Sequence, residues 1–430
     1  MSAASQSHTE RATIDEVVIT VIMARVTDFF GFFVYAIASA LVFPRVFFPT
    51  HDPVTGTLIS FAIFSLAFLA RPVASLTGRW VQAKIGRAAK VTLALMILGC
   101  ATVAIGLLPG YEKIGWLAPV LLAVLRILQG LGLGGAWDGL TLQLQHVAPK
   151  HRKGLYAMVP QLGGPIGFFV AASLFFVLTD FLTDEEFIQW GWRFAFFAVM
   201  AVNVVSLFAR LRLLNADLGV DPKVTTSAPL GALLHSQWRQ VLLSTMVPLA
   251  SYALFHMVTV FPLAYELLYG EQDISRILVI QLIGCALAII AVMASGKLAD
   301  MTNKRVVLVI STGLIVVLSF LIDTLNNEPA IFIVFGFVVL GLAYGQASAI
   351  VGNRFAPEYR YSGTAMATNL SWITGAAFAP LIGLGLTVAF GLWASALYLI
   401  SGVVVTFFAL YQLNRLKAAQ AGCGGGSGFV

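Results

Sequence analysis

The stretch Leu125-Arg126-Ile127-Leu128-Gln129-Gly130-Leu131-Gly132-Leu133-Gly134-Gly135-Ala136-Trp137-Asp138 decides the fold. It places an arginine and then a run of glycines inside an apolar segment that begins near Trp116 and continues past Leu140. A charged side chain in hydrocarbon is costly, so an intramembrane arginine indicates a functional site by default. Glycines in a membrane helix let a neighbouring backbone approach closely. The stretch therefore predicts a membrane helix that carries a buried, functional cation.

The composition of the whole chain agrees with this prediction. Of its 430 residues, 59% are hydrophobic and 11% are charged, and the mean hydropathy is +0.89. Soluble domains carry roughly 25% charged residues. Residues 1–10 are polar, and the first apolar run, which opens at Val17, is too long for a cleavable signal peptide. The sequence therefore predicts an integral membrane protein.

Apolar runs of about 20 residues are long enough to span a bilayer, and about twelve of them occur along the chain. We expect spanning helices at residues 17–43, 54–77, 91–109, 114–142, 155–178, 192–213, 241–268, 277–299, 306–324, 331–355, 363–388 and 392–413. The predicted fold class is therefore an all-α membrane protein with twelve transmembrane helices.

The longest polar connection, from Asn215 to Gln237, divides these helices into two sets of six. Gly78-Arg79 through Gly86-Arg87 after the second helix is echoed by Gly296-Lys297 through Lys304-Arg305 after the eighth. Two such halves predict two pseudo-symmetric six-helix bundles, as in rocker-type secondary transporters with a substrate near the midplane. We expect a flexible segment at 1–16, bundles at 17–213 and 239–415, a linker at 214–238 and a flexible tail at 416–430.

The basic residues are concentrated in alternate connections, and the remaining connections carry acids. Basic connections follow the second, fourth, sixth, eighth and twelfth predicted helices, whereas Asp184, Glu271 and Glu328 lie in the others. An excess of Lys and Arg marks the cytoplasmic side, so we expect both termini to be cytoplasmic. The net charge of +6 is explained by this scatter and does not indicate a nucleic-acid partner.

Arg126 and Asp28 are the leading candidates for function. Arg126 lies about 12 residues, or roughly 18 Å, into the fourth helix, and Asp28 lies about 11 residues into the first helix from the opposite side. They could form an ion pair that a carboxylate substrate or a proton breaks, which would support proton coupling. The alternatives are a permanent Arg126–Asp28 bridge, an Arg126 bound to backbone carbonyls, or a local pair of Asp28 with Arg25.

Further polar and aromatic residues are candidates for a substrate cavity. Gln129 follows Arg126 by three positions, so it could bind substrate or brace the guanidinium group. His256 could titrate or make a hydrogen bond between helices. The other candidates are Tyr35, Gln161, Tyr344, Asn369 and Trp372. With Arg126 taken as the sole central cation, the sequence favours a substrate with one main carboxylate, or a zwitterion.

The sequence contains no phosphate-binding loop, metal-ligand spacing or nucleophile constellation. The glycines from Gly130 to Gly135 lie in a predicted membrane segment, where they cannot cradle a phosphate. We therefore expect no metal site, no cofactor, no catalytic residues and no enzymatic activity.

Motifs along most of the chain resemble one known family. They are Asp28-Phe29-Phe30 with Tyr35 and Phe47-Phe48-Pro49, Phe68-Leu69-Ala70-Arg71-Pro72, Leu107-Leu108-Pro109-Gly110-Tyr111, Arg126 with Gln129, Gly130, Gly134 and Gly135, Gly154 with Tyr156 and Pro160-Gln161, Trp190-Gly191-Trp192-Arg193, and Tyr361-Ser362-Gly363 with Asn369. Jointly these residues resemble the metabolite:proton symporter family of the major facilitator superfamily, which includes permeases for alpha-ketoglutarate, citrate, shikimate and proline/betaine.

This resemblance implies a major facilitator fold and the uptake of a small organic acid or zwitterion, driven by protons through alternating access. It assigns Arg126 to a motif for substrate and proton handling and Asp28 to a membrane-embedded acid. It also implies a monomer in the bacterial inner membrane, with the organic solute, protons and the lipid bilayer as its partners.

Two positions depart from the family pattern. Gln82 and Ala83 stand where an Asp usually precedes the basic residues, and Ala136 stands where a Glu usually follows the paired glycines. In the family these acids are thought to pair with loop cations and hold the outward-facing state. The departures suggest a rewired gate, whose candidates are Arg71, Lys84, Arg87, Asp138, Asp300 and Arg305. They also keep an uncoupled facilitator or an exporter open as alternatives, and a membrane sensor that does not transport its ligand as a third.

Overall fold

The computed structural model describes residues 14–136, 144, 148–215, 228–351 and 354–424, and the regular elements in these ranges are helical. We number the membrane helices α1 to α12. They are α1 Ile14–Leu41, α2 Pro53–Ile85, α3 Arg87–Leu107, α4 Leu117–Gly135, α5 Lys153–Phe181, α6 Arg193–Asn215, α7 Leu230–Tyr269, α8 Ile274–Met301, α9 Lys304–Ser319, α10 Pro329–Val351, α11 Pro357–Phe390 and α12 Ala394–Gly424.

Eleven of these described helices are long and apolar enough to cross a membrane. The remaining one, α9, has 16 residues and is followed by the 3₁₀ turn Ile322–Asn326. The predicted all-α membrane fold is confirmed, and its twelve-helix count is consistent with the structure. Helices suit this environment because a bilayer offers no water to satisfy exposed backbone groups.

The connection between α2 and α3 is shorter than the sequence predicted. The helix expected to end near Thr77 continues to Ile85, and Gly86 alone joins it to Arg87. Gly86 has a φ of 84°, a left-handed conformation that glycine adopts without steric cost. Lys84, expected in a loop, therefore lies in the last turn of a helix.

The glycines of α4 bring this helix into backbone contact with two neighbours. A Cβ added to Gly130 would lie 2.3 Å from the carbonyl oxygen of Ala67 on α2, and one on Gly134 would lie 2.2 Å from that of Arg71. A Cβ on Gly132 would lie 2.8 Å from the carbonyl oxygen of Ala94 on α3. Small residues thus fix the position of Arg126, one turn before Gly130, against α2.

The two halves meet along α5 and α8. Cys285 of α8 donates through Sγ to the carbonyl oxygen of Pro165 on α5 at 2.9 Å, and the hydroxyl groups of Thr179 and Ser275 lie 3.4 Å apart. A large cluster of buried hydrophobic residues joins side chains of both halves. Tyr35, Phe32 and Phe64, which surround the candidate site, belong to this shared core.

We distinguish two faces of the bundle by their connections. The basic face holds the turns around Gly86, Lys153 and Lys304, and the acidic face holds those around Asp184 and Asp273. At the acidic face, Arg45 donates two hydrogen bonds of 2.8 and 2.6 Å to Asp184. These bonds lower the pKa of the Asp184 carboxyl group, but the pair is exposed, so it stabilises the fold only slightly.

Candidate functional site

Arg126 is buried in α4 with 1% of its surface exposed. Its Nε donates to the carbonyl oxygen of Phe64 at 3.1 Å, and its Nη1 donates to Oε1 of Gln129 at 3.0 Å. The guanidinium carbon lies 3.8 Å from the centre of the Tyr35 ring. Among the described residues, Nη2 has no hydrogen-bond partner and no carboxylate pairs with the side chain. A buried cation is thus oriented with one donor left for an acceptor that the described side chains do not provide.

Gln129 braces this guanidinium group. Its Nε2 donates to the hydroxyl oxygen of Thr102 at 2.8 Å, and Thr102 donates to the carbonyl oxygen of Leu98 at 2.7 Å. The amide therefore links Arg126 to α3, which fixes the orientation of both polar groups. The sequence left two roles open for Gln129, which are binding of substrate and bracing of the guanidinium group. The structure shows the bracing contact.

Asp28 contacts Arg210 rather than Arg126. This contact corrects the Asp28–Arg126 ion pair that the similar depths of the two residues suggested. Arg210 Nη2 donates to Asp28 Oδ1 at 2.6 Å and to the carbonyl oxygen of Ala24 at 2.8 Å. Arg25 Nη1 lies 3.8 Å from Asp28 Oδ2, as in the local alternative. Because α6 continues to Asn215, Arg210 lies inside the bundle and is only 2% exposed.

Asp28 and Arg126 nevertheless line the same cavity, of about 10 Å³, together with Gln129 and Asn203. Sequence reasoning missed two residues here. Arg210 and Asn203 both fall inside the predicted span 192–213, and neither was named as a candidate site residue. The sequence signal that could have identified Arg210 is its charge within an apolar run.

His256 brings a polar group from the second half to this region. It is fully buried in α7, its ring centre lies 5.4 Å from that of Phe32 and 5.4 Å from that of Phe64, and it interacts electrostatically with Arg126. Neither ring nitrogen has a hydrogen-bond partner within the described part of the chain. The same holds for the buried hydroxyl group of Tyr35. Buried polar groups are usually paired, so this concentration of unpaired ones makes the region the candidate binding site.

Aromatic rings from both halves lie between this site and the basic face. Phe29 precedes Tyr35 by six residues, which places it about 9 Å nearer the basic face along α1. The ring centre of Trp372 lies 5.7 Å from that of Phe29 and 4.4 Å from that of Tyr252. Tyr344 lies 5.9 Å from Tyr252. Two of the predicted residues, Trp372 and Tyr344, therefore belong to an aromatic layer that encloses the site.

Arg71 belongs to this inner region rather than to the surface of the basic face. It interacts electrostatically with Arg25, Asp28, Tyr252 and Tyr344, and its Nε is buried without a hydrogen-bond partner among the described residues. The prediction that Arg126 is the sole central cation is therefore wrong. The reason is that Arg25, Arg71 and Arg210 also fold into the bundle, where each interacts with Asp28.

The remaining predicted substrate residues lie apart from Arg126. Gln161 is buried in the 3₁₀ turn Val159–Leu162 within α5. Asn369 of α11 donates through Nδ2 to the hydroxyl oxygen of Ser75 on α2 at 2.8 Å. The Asn369–Ser75 bond joins the two halves, and Asn369 also lines a second cavity that opens near the basic face.

That second cavity has a volume of about 490 Å³ and lies between α2 and α11. Its lining includes Gln82 and Ala83, at the position where the family usually has an acid, and Lys90 of α3. Residues Ala228, Pro229 and Leu230 form another part of its wall. The space therefore lies where the sequence departs from the family pattern.

The predicted gate residues have varied surroundings at the basic face. Asp300 of α8 accepts hydrogen bonds from the backbone N–H groups of Gly154 and Leu155, at 2.5 and 3.0 Å. The bonds of Asp300 to Gly154 and Leu155 join the two halves.

The other predicted gate residues have different partners. Arg305 Nη2 donates to the carbonyl oxygen of Leu410 at 2.5 Å, and Lys84 Nζ lies 3.9 Å from the Trp80 ring centre. Arg87 begins α3. Asp138 lies outside the described residues.

No group of three or more His, Cys, Asp or Glu side chains in the described ranges is placed to hold a metal ion. The site is therefore characterised by arginines, aromatic rings, amides and one carboxylate.

Two sets of membrane helices that enclose a buried charged site near the middle are the architecture of a secondary transporter. The model of the Major Facilitator Superfamily matches residues 21–372. The chain belongs to this superfamily, whose members are transporters rather than enzymes, and the family expected from the sequence motifs is confirmed.

Curated relatives and solved structures agree with this assignment. The chain is 36% identical to the inner membrane metabolite transport protein YhjE of Escherichia coli (strain K12), over 96% of this chain and 97% of that protein. It is 30% identical to the shikimate transporter of the same organism, over 89% and 90%. The crystal structure of a D-xylose-proton symporter matches with a TM-score of 0.71 at 13% identity, covering 93% of this chain and 97% of that one. That structural likeness supports the fold alone.

Proposed function

We propose that this Major Facilitator Superfamily transporter imports a small organic acid or a zwitterion together with protons by alternating access. The observation that carries the proposal is the unpaired Nη2 of Arg126, buried beside the unpaired Tyr35 hydroxyl group and His256 ring in the described part of the chain. A substrate carboxylate supplies the acceptor that this donor lacks. Charge-assisted hydrogen bonds of this kind are about twice as strong as neutral ones.

The surrounding charges support an anionic substrate group. Arg25 and Arg210 pair with Asp28, Arg71 interacts electrostatically with Asp28, and Arg126 lines the same cavity. Four guanidinium groups thus face one carboxylate in this region of the described structure. Burial strengthens electrostatic attraction because the local dielectric constant is low. A carboxylate is therefore the group that best balances the site.

The aromatic rings support an organic body on that carboxylate. Phe32 and Phe64 lie beside the guanidinium group of Arg126, with ring centres 5.7 and 4.8 Å from Cζ, and Trp372 closes the region toward the basic face. Such rings bind apolar surface and, through their π faces, quaternary ammonium groups. This chemistry fits organic acids and betaine-like zwitterions. Relatives named as a shikimate transporter and a putative proline/betaine transporter support the same range.

Asp28 is the proposed proton site. It is the acid that lines the small cavity with Arg126, and its side chain is 16% exposed. A bound substrate anion alters the field at Asp28, and protonation of Asp28 alters the positive charge available to the substrate. Substrate and proton then bind favourably together, which is the requirement for symport.

The proposal includes an orientation and a location. We place the basic face in the cytoplasm, following the positive-inside rule, and the protein in the bacterial inner membrane as a monomer. The bundles are proposed to span residues 17–213 and 239–415, joined by a cytoplasmic linker at 214–238. Charge reversal in a basic connection, combined with accessibility labelling of an engineered cysteine there, tests this orientation.

Purified protein in proteoliposomes tests the substrate assignment. Labelled monocarboxylates, dicarboxylates and betaines are offered to the wild type, to Arg126→Ala and to Arg45→Ala, which removes a surface arginine as a control. We expect Arg126→Ala to lose substrate binding and uptake while Arg45→Ala retains both. Unchanged affinity in Arg126→Ala contradicts its role as the carboxylate anchor.

A second variant tests the coupling. Asp28→Asn is expected to retain exchange of labelled for unlabelled substrate but to lose accumulation driven by a pH gradient, because the proton site is gone. Full concentrative uptake by Asp28→Asn shows that the proton binds elsewhere. Wild-type protein that equilibrates substrate without accumulating it supports the uncoupled facilitator instead.

A further inference from the structure

Asn203 on α6 has no assigned role in the site, yet it is placed within it. The residue is 3% exposed, and both polar atoms of its side chain, Oδ1 and Nδ2, are buried without a hydrogen-bond partner in the described structure. Leaving an amide unpaired in an apolar interior costs free energy. An amide in this position therefore requires a polar occupant beside it.

The occupant has a defined space. Asn203 lines the cavity of about 10 Å³ that Asp28, Arg126 and Gln129 also line. A volume of roughly 10–15 Å³, with two to four polar partners, is what one water molecule needs. The rest of the lining is largely apolar and comprises Thr27, Gly31, Phe32, Leu98, Leu133 and Val199. Four polar side chains around so small a space match a single water.

We propose that this cavity is a binding site for one water molecule, held by Asn203, that connects Asp28 to Arg126 and couples proton binding to substrate binding. The proposal rests on the proposed proton-coupled function and adds the route of coupling. Asn203 donates through Nδ2 to the water and accepts through Oδ1, and the water donates to the Asp28 carboxylate. The one bond formed is the O–H bond of the Asp28 carboxyl group, whose proton comes from the aqueous phase. This protonation removes one acceptor and reverses the orientation of the water.

The route is needed because Asp28 and Arg126 make no direct contact. Asp28 is bound by Arg210, and Arg126 by Phe64 and Gln129. A shared water transmits a change at either residue through a hydrogen bond, with a strength close to that of a direct one. Asn203 thus acts as a positioning residue.

The effect of Asp28 protonation on substrate binding can be separated from the effects of the other charged groups around it. Arg25 lies on its own helix, Arg210 on α6, Arg126 on α4 and Arg71 on α2. Arginines remain protonated throughout the accessible pH range, so they do not titrate. Among the described residues of the site, His256 of α7 interacts with Arg126 and is the other side chain of a type that titrates near neutral pH. The variant His256→Gln removes that contribution.

The experiment compares binding of a labelled carboxylate, chosen from the uptake panel, at mildly acidic and at neutral pH. We expect wild type to bind more tightly at acidic pH, by roughly fivefold or more. His256→Gln is expected to show the same ratio between the two pH values, whatever its absolute affinity. Asn203→Leu, similar in size but apolar, is expected to keep the acidic-pH affinity and lose this ratio. In proteoliposomes it is expected to exchange substrate without proton-driven accumulation. Thr312→Val in α9 removes another buried hydroxyl group that is unpaired in the described structure and serves as the control.

The outcomes separate the two proposals. Asn203→Leu with an undiminished pH ratio overturns the water route and leaves the proton-coupled function intact. Wild-type binding that is equal at both pH values overturns the coupling itself, and the route with it. If Asn203→Leu does not fold, Asn203→Ser retains a donor and an acceptor beside a larger space, and it is expected to keep most of the pH ratio, whereas Asn203→Ala is expected to lose it.

Discussion

Within the described residues, the halves meet at two corners of the basic face, and these corners are built differently. At the first, which we call the α5–α8 corner, Asp300 accepts hydrogen bonds of 2.5 and 3.0 Å from the backbone N–H groups of Gly154 and Leu155. At the second, the α2–α11 corner, Asn369 donates to Ser75 at 2.8 Å beside a cavity of about 490 Å³. One corner thus places a carboxylate on a helix N-terminus, where the macrodipole stabilises it, and the other uses a neutral hydrogen bond.

The packing of the helices also differs between the α5–α8 corner and the α2–α11 corner. A Cβ on Gly154 would lie 2.6 Å from the carbonyl oxygen of Gly296, so the α5 and α8 backbones touch. At the other corner Gln82 and Ala83 line open space, and Ser362 instead bonds the backbone of Ala228 at 2.8 and 3.1 Å. The comparison teaches that the corner at Gln82 and Ala83 is held by neutral hydrogen bonds beside open space, whereas the other combines a carboxylate with close backbone packing. We therefore expect the two corners to open with different free energies.

The largest effect is expected from Gly154→Val, which forces a side chain into the backbone of α8. Overpacking of this kind costs about 1–3 kcal/mol, and the open state of the α5–α8 corner is favoured by that amount. The measurement is the maleimide labelling rate of Met158→Cys, whose position contacts Gly296, in a background without other reactive cysteines. Labelling should accelerate strongly.

Gly78→Val on α2 is the matched control, because a Cβ there meets no described atom within 4 Å. It should leave labelling of Met158→Cys unchanged. Equal acceleration by both substitutions would show that the glycine contact does not hold the corner closed.

The next effect is expected from Asp300→Asn, which keeps an acceptor but removes the charge from the start of α5. Loss of a helix cap costs about 0.5–2 kcal/mol, so labelling of Met158→Cys should rise less than with Gly154→Val. Asp273→Asn removes the corresponding charge from the N-cap of α8 at the acidic face, where it accepts from Ser275. That control should not open the basic face, and a comparable rise from it would refute the local role of Asp300.

The sequence predicted the features that depend on residues near one another in the chain. Apolar runs gave the helices, and the spacing of Arg126 and Gln129 placed both on one face of α4. Depth along a helix also follows from counting residues, which is why Asp28 and Arg126 share a cavity. The direction in which a side chain points around its helix depends on packing between distant segments.

Contacts between distant segments were therefore missed or misassigned. Asp28 meets Arg210, 182 positions away, and Asn369 meets Ser75, 294 positions away. Asn203 gave no local signal because one amide in an apolar helix is compatible with many roles. Asp300 stays a predicted gate residue, and its partners are backbone N–H groups that no side-chain pattern reveals.

A smaller, opposite effect is expected from Ala83→Asp, which restores an acid to the α2–α11 corner. A carboxylate near a helix N-terminus stabilises by about 0.3–1 kcal/mol, and the start of α11 lies across the cavity. Labelling of Met366→Cys, which lines this cavity, should slow by a few-fold. Ala83→Asn controls for side-chain volume, and equal slowing by both variants would mean that space rather than charge limits the corner.

The smallest effect is expected from Ser75→Ala, and its size distinguishes the two kinds of corner. Removing a neutral hydrogen bond usually costs about 0.5–1.5 kcal/mol, but the cavity beside Asn369 admits water, which replaces the lost acceptor nearly as well. Labelling of Met366→Cys should therefore change by less than the Asp300→Asn effect at Met158→Cys. If Ser75→Ala opens its corner as far as Asp300→Asn opens the other, the Ser75–Asn369 bond is as strong as the helix cap, and the gate is symmetric in energy despite its missing acid.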